Sequence, residues 1–223
     1  VEGEALYQKT LRIRTAEFGA GHPRTLDVMH NLAALLQQQD KFAEAEVLYQ
    51  TALAGRKDNL GEDHPSTLAT MTNYAAFLSE QNNLADAERL QRQVLAARRA
   101  KLGRQHQYYF AALYNLADNL DDQGKYEEAE TLYREAVSGW QAKFGDAHIQ
   151  TANAKGNLAV TLSNQGKFEE AVQLYRAAQI VFQAELGPNH PNTLQTLRNL
   201  NLALAQQRKA KEAESKLKTT DVV

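Results

Sequence analysis

Cysteine is absent from the 223 residues. That removes disulfides, thiol catalysis and cysteine-ligated zinc, and it suits a reducing, cytoplasmic setting. An excess of one charge sign is missing too. The formal net charge is −2, so no global field directs the chain to nucleic acid or to an anionic membrane. Lysine and arginine form no stripe of the kind nucleic-acid binders carry. No apolar run approaches the roughly 20 residues of a membrane span, and no signal-peptide pattern opens the chain. The phosphate-loop pattern Gly-x-x-x-x-Gly-Lys-Ser/Thr is absent, and no serine sits in a nucleophile elbow. The stretch from Asp118 to Gly124 has a faint calcium-loop look but lacks the alternate-residue ligands and the final glutamate. The expectation is therefore a chain with no catalytic residues, no metal and no cofactor. What remains is globular in composition, 43% hydrophobic and 23% charged.

Against these absences stands a period. LGEDHPSTL at residues 60–68 returns as FGAGHPRTL at 18–26 and LGPNHPNTL at 186–194, with weaker copies LGRQHQYYF at 102–110 and FGDAHIQTA at 144–152. Gly19, Gly61, Gly103, Gly145 and Gly187 are each 42 residues apart, as are His22, His64, His106, His148 and His190. A step held this often without slippage predicts a helical repeat array, hence a binding scaffold. One histidine per repeat cannot cluster around a metal, because stacked helices lie about 8–10 Å apart while zinc–ligand bonds are near 2 Å. Its place before a helix start is a turn role.

Each repeat reads as two helices. His-Pro opens the first, with proline at a position that needs no N–H; three of the four prolines, Pro23, Pro65 and Pro191, hold that register, and Pro188 lies in a linking loop. Leu68, Met71, Tyr74, Ala75, Phe77 and Leu78 form one apolar stripe. The turn is Gln81-Asn82-Asn83 in one repeat and Gln-Gly-Lys in others, with Gly124 and Gly166 placed to adopt a left-handed conformation. The second helix runs inward on Ala87, Leu90, Val94 and Leu95 and stops before Gly103. Ala45, Ala87, Ala129, Ala171 and Ala213 mark close helix approaches. The last second helix, 210–218, is expected to be short and lysine-rich, as a cap or truncated end. Glu2 to Phe18 reads as the second half of a repeat, so the chain is expected to be a fragment of something longer.

His-Pro-x-Thr-Leu, Asn-Leu-Ala, Gln-Gly-Lys-Phe/Tyr-Glu-Glu-Ala and Leu-Tyr-Arg together resemble the tetratricopeptide repeat, in the 42-residue variety of kinesin light chains and of many bacterial and signalling-ATPase repeat proteins. The resemblance covers essentially the whole chain. It implies an all-α, right-handed superhelical solenoid of about five repeats and eleven helices, whose first helices line a concave peptide-binding groove. The expected organisation is one array over 1–223: a truncated repeat at 1–18, full repeats at 19–60, 61–102, 103–144 and 145–186, and a short last repeat at 187–223.

By that resemblance the groove registers are those in which the repeats differ most. The Asp27 register holds Asp27, Ala69, Ala111, Asn153 and Gln195. The His30 register holds His30, Thr72, Tyr114, Gly156 and Arg198. Two further registers hold Ala34, Ala76, Asp118, Val160 and Leu202, and Gln37, Ser79, Asp121, Ser163 and Ala205. Candidate groove residues are Asp27, His30, Gln37, Thr72, Glu80, Tyr114, Asp118, Asp121, Asn153 and Arg198. Kinesin light chains place asparagine in the His30 register and basic residues nearby for acidic cargo. Here that register is mixed, and Glu80, Asp118, Asp121 and Asp122 lie on or near the face. The expected partner is a protein or peptide segment that is basic or apolar-basic, although Asp121 and Asp122 also read as solvated turn residues. The ladder Asn31, Asn73, Asn115, Asn157, Asn199 either ties adjacent helices or reaches a peptide backbone. Tyr109 and Tyr114 are candidate surface anchors beside carboxylates, with Phe110 filling the core. Trp140 and Phe182 replace the arginines of the Arg14 register and are expected to bury against the next helix rather than form an exposed ledge. Two other readings stand beside the groove scaffold: a sensor or autoinhibitory arm of a larger signalling ATPase or enzyme, and an array that self-associates through its terminal repeats.

Overall fold

The computed structural model describes residues 2–220, and every element among them is helical. In chain order these are α1 (Glu2–Phe18), α2 (Pro23–Gln37), α3 (Phe42–Leu60), α4 (Pro65–Glu80), α5 (Leu84–Leu102), α6 (Gln107–Asp122), α7 (Tyr126–Phe144), α8 (Ile149–Asn164), α9 (Phe168–Leu186) and α10 (Pro191–Thr220). They fall into two compact units, Val1–Lys101 and Leu102–Val223. In the first, α2 packs on α1, α3 and α4, and α3 also packs on α4. In the second, α7 packs on α6 and α8, α9 on α8 and α10, and the first helices α6, α8 and α10 touch in series.

The repeated nonapeptide is the joint between helices. At His22, His64, His106, His148 and His190 the ring Nδ1 accepts the backbone N–H two residues on, at 3.2 Å each time. That satisfies one orphan donor of the new helix, a contribution of about 1 kcal/mol. The histidine ladder is thus a set of helix caps. Thr25, Thr67, Thr151 and Thr193 are buried and donate to the carbonyls of Gly19, Gly61, Gly145 and Gly187 at 2.8–2.9 Å. The third copy has Tyr109 in place of threonine. Its ring is buried, 2% exposed, and its hydroxyl donates to Glu135 at 2.9 Å. Of the two readings of Tyr109, surface anchor or core residue, the core one holds, because it stands in a register that points inward; the exposed ring is Tyr108.

Core registers repeat because packing demands it. Ala45, Ala87, Ala129 and Ala171 are fully buried. Where size changes on one helix, its partner compensates. A Cβ on Gly55 would lie 2.7 Å from Leu26, and one on Gly139 only 2.2 Å from the Phe110 ring. In the same pair of registers, Ala152 meets Val181. Large faces small and small faces large, as close packing requires.

Ten helices are present among the described residues where about eleven were expected, and the difference lies at the C-terminal end. The inter-helix turns need one left-handed residue. Asp40 (φ 59°), Asn82 (φ 60°), Gly124 (φ 73°) and Gly166 (φ 77°) supply it. The next position in that register is Arg208, which tolerates that conformation poorly. Gln206 to Ala210 instead continues the helix, so α10 runs through and Ala213 stays exposed.

Candidate binding surface

In residues 102–223 the divergent registers of α6, α8 and α10 lie on one face. Tyr114 of α6 is half-buried, edge-on to Tyr133 at 5.6 Å and to Trp140 at 5.7 Å. Its hydroxyl accepts from Asn157 Nδ2 of α8 at 2.8 Å. The same Asn157 amide and the Tyr133 hydroxyl both donate to Asp118 Oδ1 at 3.0 Å. Asp118 is exposed at the surface, with Tyr133 and Asn157 against one of its oxygens and the neighbouring helices close around it. Desolvation by that surrounding protein raises its carboxyl pKa; the Tyr133 bond opposes the rise, the neighbouring Asp122 and Asp121 add to it, and the Asn157 bond opposes it. Asp121 is raised as well, by burial first; Thr161 offsets this and Asp122 reinforces it. Asp121 Oδ1 is buried with no hydrogen-bond partner. No Lys or Arg among the described residues pairs with Asp118, Asp121 or Asp122.

Toward α10 the face deepens. A cavity of about 210 Å³ is lined by Tyr114, Asn153, Gly156, Phe182, Gln195 and Asn199. A second of about 440 Å³ adjoins it, sharing Val160, Tyr175 and Asn199 and ending at Leu202 and Phe168. Arg198 stands exposed on α10.

In residues 1–101 the equivalent face is closed by its own side chains. Gln37 donates to Glu80 at 2.6 Å and accepts from Tyr49 at 3.0 Å. Asn73 Nδ2 lies 3.1 Å from His30 Nε2. Burial and then Arg56 hold His30 below its ordinary pKa, against the pull of Asp27. Arg56 is buried and spans Ser66 O, Thr70 Oγ1 and Asp27 Oδ1. Thr72 donates to Leu68 O and accepts from Arg98.

The tetratricopeptide-repeat family model matches at residues 1–58, 29–100, 66–142, 108–179 and 150–220. The chain belongs to the tetratricopeptide-repeat family. Two crystal structures of a Podosopora anserina protein assigned as a kinesin light chain, with nearly identical TPR-like repeats, superpose with TM-scores of 0.74 and 0.73. Each is 25% identical and covers 90% of this chain and 95% of that chain. BtubC (BKLC) from P. vanneervenii superposes at 0.77, with 20% identity over 96% of this chain and 85% of that chain, and shows the shared fold. No curated protein matches the sequence. Tetratricopeptide repeats are generally protein–protein interaction scaffolds without chemistry of their own, and typically bind proteins or peptides. None of the described helices is long and apolar enough to cross a membrane.

The tetratricopeptide registers sort the candidate residues into two groups. Tyr114, Asp118, Asp121, Asn153 and Arg198 lie in the second unit, the first two joined through Asn157 and Asn153 in the cavity wall. Asp27, His30, Gln37, Thr72 and Glu80 lie in the first, each engaged by a neighbour. The ladder residues Asn73 and Asn157 contact His30 and Tyr114, each 43 residues earlier, so both tie adjacent first helices. Trp140 and Phe182 are buried, 4% and 3% exposed. Sequence reasoning passed over Tyr49, Tyr133 and Tyr175, second-helix residues whose rings or hydroxyls reach this face. Their signal was the tyrosine recurring at 42-residue multiples within the Leu-Tyr motif.

Proposed function

We propose that the chain is a non-enzymatic scaffold that holds a basic or apolar-basic segment of a protein partner along the α6–α8–α10 face. One observation carries the reading: Asp118, Asp121 and Asp122 lie within about one turn of α6, none of them paired with a Lys or Arg among the described residues, and the charges of Asp122 and Asp121 add to the burial that raises Asp118. A lysine or arginine brought there relieves that repulsion and gains charge-assisted hydrogen bonds. The surrounding lattice of Tyr114, Tyr133 and Asn157 is already assembled, so little ordering entropy is lost on binding.

Panning a random dodecapeptide display library on the immobilised chain should enrich Lys- or Arg-bearing sequences. The double variant Asp118→Asn/Asp121→Asn should bind those peptides at least about tenfold more weakly by fluorescence polarisation. Unchanged affinity, or enrichment of acidic peptides, would sink the proposal.

A further inference from the structure

Resting on that reading, we infer that the cleft between α8, α9 and α10 takes one aromatic ring from the bound segment, in the place that Phe77 fills from within the chain in residues 1–101. Phe77 of α4 is 1% exposed and packs on two rings of α3, Phe42 at 6.3 Å and Tyr49 at 5.7 Å. Three repeats later, Phe168 and Tyr175 of α9 keep both of those rings, but the counterpart of Phe77 is Ala203. That register holds Leu35, Phe77, Asn119, Thr161 and Ala203, and alanine is its smallest occupant. Elsewhere a small residue on one helix meets a large one on the next, as Gly139 meets Phe110. Here no larger neighbour takes up the lost ring. A cavity of about 440 Å³ remains, with Phe168, Tyr175 and Ala203 in its wall.

The mouth of this cleft lacks the bridge that closes its counterpart. In the first unit Gln37 donates to Glu80 across the gap. The equivalent pair is Ser163 and Gln206. Ser163 donates its hydroxyl to Ala159 O, and no hydrogen bond joins it to Gln206 among the described residues. Leu202 stands at the lip in the register of Ala76 and is 62% exposed. Asn164 and Asn199 also line the cleft, but no charged residue does, and its surface is more apolar than polar. The volume falls within the roughly 300–1,000 Å³ of ligand pockets, and Phe168 and Tyr175 offer a third ring edge-on or offset packing. A cation finds no partner inside the cleft but has one close by. Burial holds the Tyr175 hydroxyl above its ordinary pKa; a bond with Ser163 opposes this, and the Asp121 carboxylate adds to it, which places that carboxylate near the pocket wall. Ring and basic residue would therefore lie close together in the bound segment.

The same dodecapeptide library, panned on wild type, Ala203→Phe, Ser163→Gln/Gln206→Glu and Asp118→Asn/Asp121→Asn, separates the two claims. Wild type should enrich Phe, Tyr or Trp near Lys or Arg. Ala203→Phe supplies the ring from within. It should lose the aromatic preference, keep the basic one, and bind the wild-type peptides about tenfold more weakly by fluorescence polarisation. Ser163→Gln/Gln206→Glu rebuilds the closing bridge without touching the buried floor and should show the same loss, which guards against a folding defect in the phenylalanine variant. An aromatic preference unchanged in both closing variants, or wild-type peptides enriched for basic residues alone, overturns the pocket while leaving the acidic-face scaffold standing. A wild-type chain that dimerises by light scattering and turns monomeric on Ala203→Phe overturns it as well, since a second copy then fills the cleft. Aromatic enrichment without basic residues, lost in Ala203→Phe, supports the cleft and overturns the acidic face. No enrichment on any form overturns both.

Discussion

The first-helix face of residues 1–101 and that of residues 102–223 share a register map yet stand in different chemical states. In the first, Gln37 bridges Tyr49 and Glu80, Asn73 meets His30, and Arg56 reaches Asp27. Side chains there pair largely with one another, although His30 Nδ1 is buried without a partner. In the second, three carboxylates lie within about one turn of α6 with no Lys or Arg paired to them among the described residues, and glycine stands where its counterparts carry side chains. A repeat array separates two tasks. Registers that bury apolar area are bound to repeat; registers on the face are free to be closed in one place and left open in another.

The largest contrast should appear in one shared register. Trp140 is buried between Phe110 and Tyr114, and Trp140→Ala should destabilise by about 3–5 kcal/mol. Its counterpart Arg56 has only a part-exposed Asp27 as ion partner, and Thr70 keeps its bond to Ser66 O without it. Removing one partner of a buried ion pair is costly chiefly when the other charge is left buried; Asp27 is 60% exposed and returns to water, so Arg56→Met should cost less than about 1 kcal/mol. Urea unfolding followed by circular dichroism measures both. Equal losses would show that the two plugs are not the different devices they look like.

Next in size is the packing complement. Gly139→Ala drives a methyl into a ring held against Trp140, and should cost about 1–3 kcal/mol. Gly55→Ala meets the branched end of Leu26 and should fall at the low end of that range. Adding Phe110→Leu to Gly139→Ala should restore most of the loss, since Leu68 and Ala97 already coexist in those registers. Failure of that rescue would break the size-compensation account.

The smallest effect sharpens the electrostatic contrast. Asp118 and Asp121 hold protons more tightly in the fold than in the unfolded chain. Their contribution is therefore favourable at acid pH and lost as pH rises through the raised pKa values. Asp118→Asn/Asp121→Asn should melt at a slightly higher temperature at pH 7, with the gain gone by about pH 3.5, below the ordinary aspartate pKa. Glu130 should behave in the opposite way. Burial would raise it, but hydrogen bonds from Lys167, Gln165 and Arg134 outweigh that and hold it at about 2. Its stabilisation is present above the usual glutamate range and lost as pH falls toward that value, so Glu130→Gln should be less stable than wild type at pH 7 and converge with it in acid. A pair of melting scans across pH distinguishes the two slopes.

Much of this was legible in the residues. The 42-residue step located the helices, because a repeated His-Pro favours a helix start and a glycine in a positive-φ register favours a stop. The site was less legible. Asp118, Asp121 and Tyr114 were named from their registers, but Tyr133 and Asn157, which hold them, come from other helices and share no local pattern with them. Tyr109 read either as a surface anchor or as a core residue, and its register, shared with buried threonines, decides for the core. The straight run of α10 was written at Arg208, in the register of Asp40, Asn82, Gly124 and Gly166. It is visible once those positions are known to be left-handed.

The sequence by itself determined the architecture, since periodic burial and obligatory backbone pairing leave a 42-residue repeat of this pattern few other folds. It also determined the role of the repeated Gly-x-x-His-Pro, whose cap and stop act within a few residues. Only the tertiary structure decided which face residues are spent on one another and which stay open. That depends on contacts between positions about 40 residues apart, such as Asn157 with Tyr114 and Gln37 with Glu80, where a side chain's reach and its neighbours' size, rather than its own identity, settle whether it is satisfied.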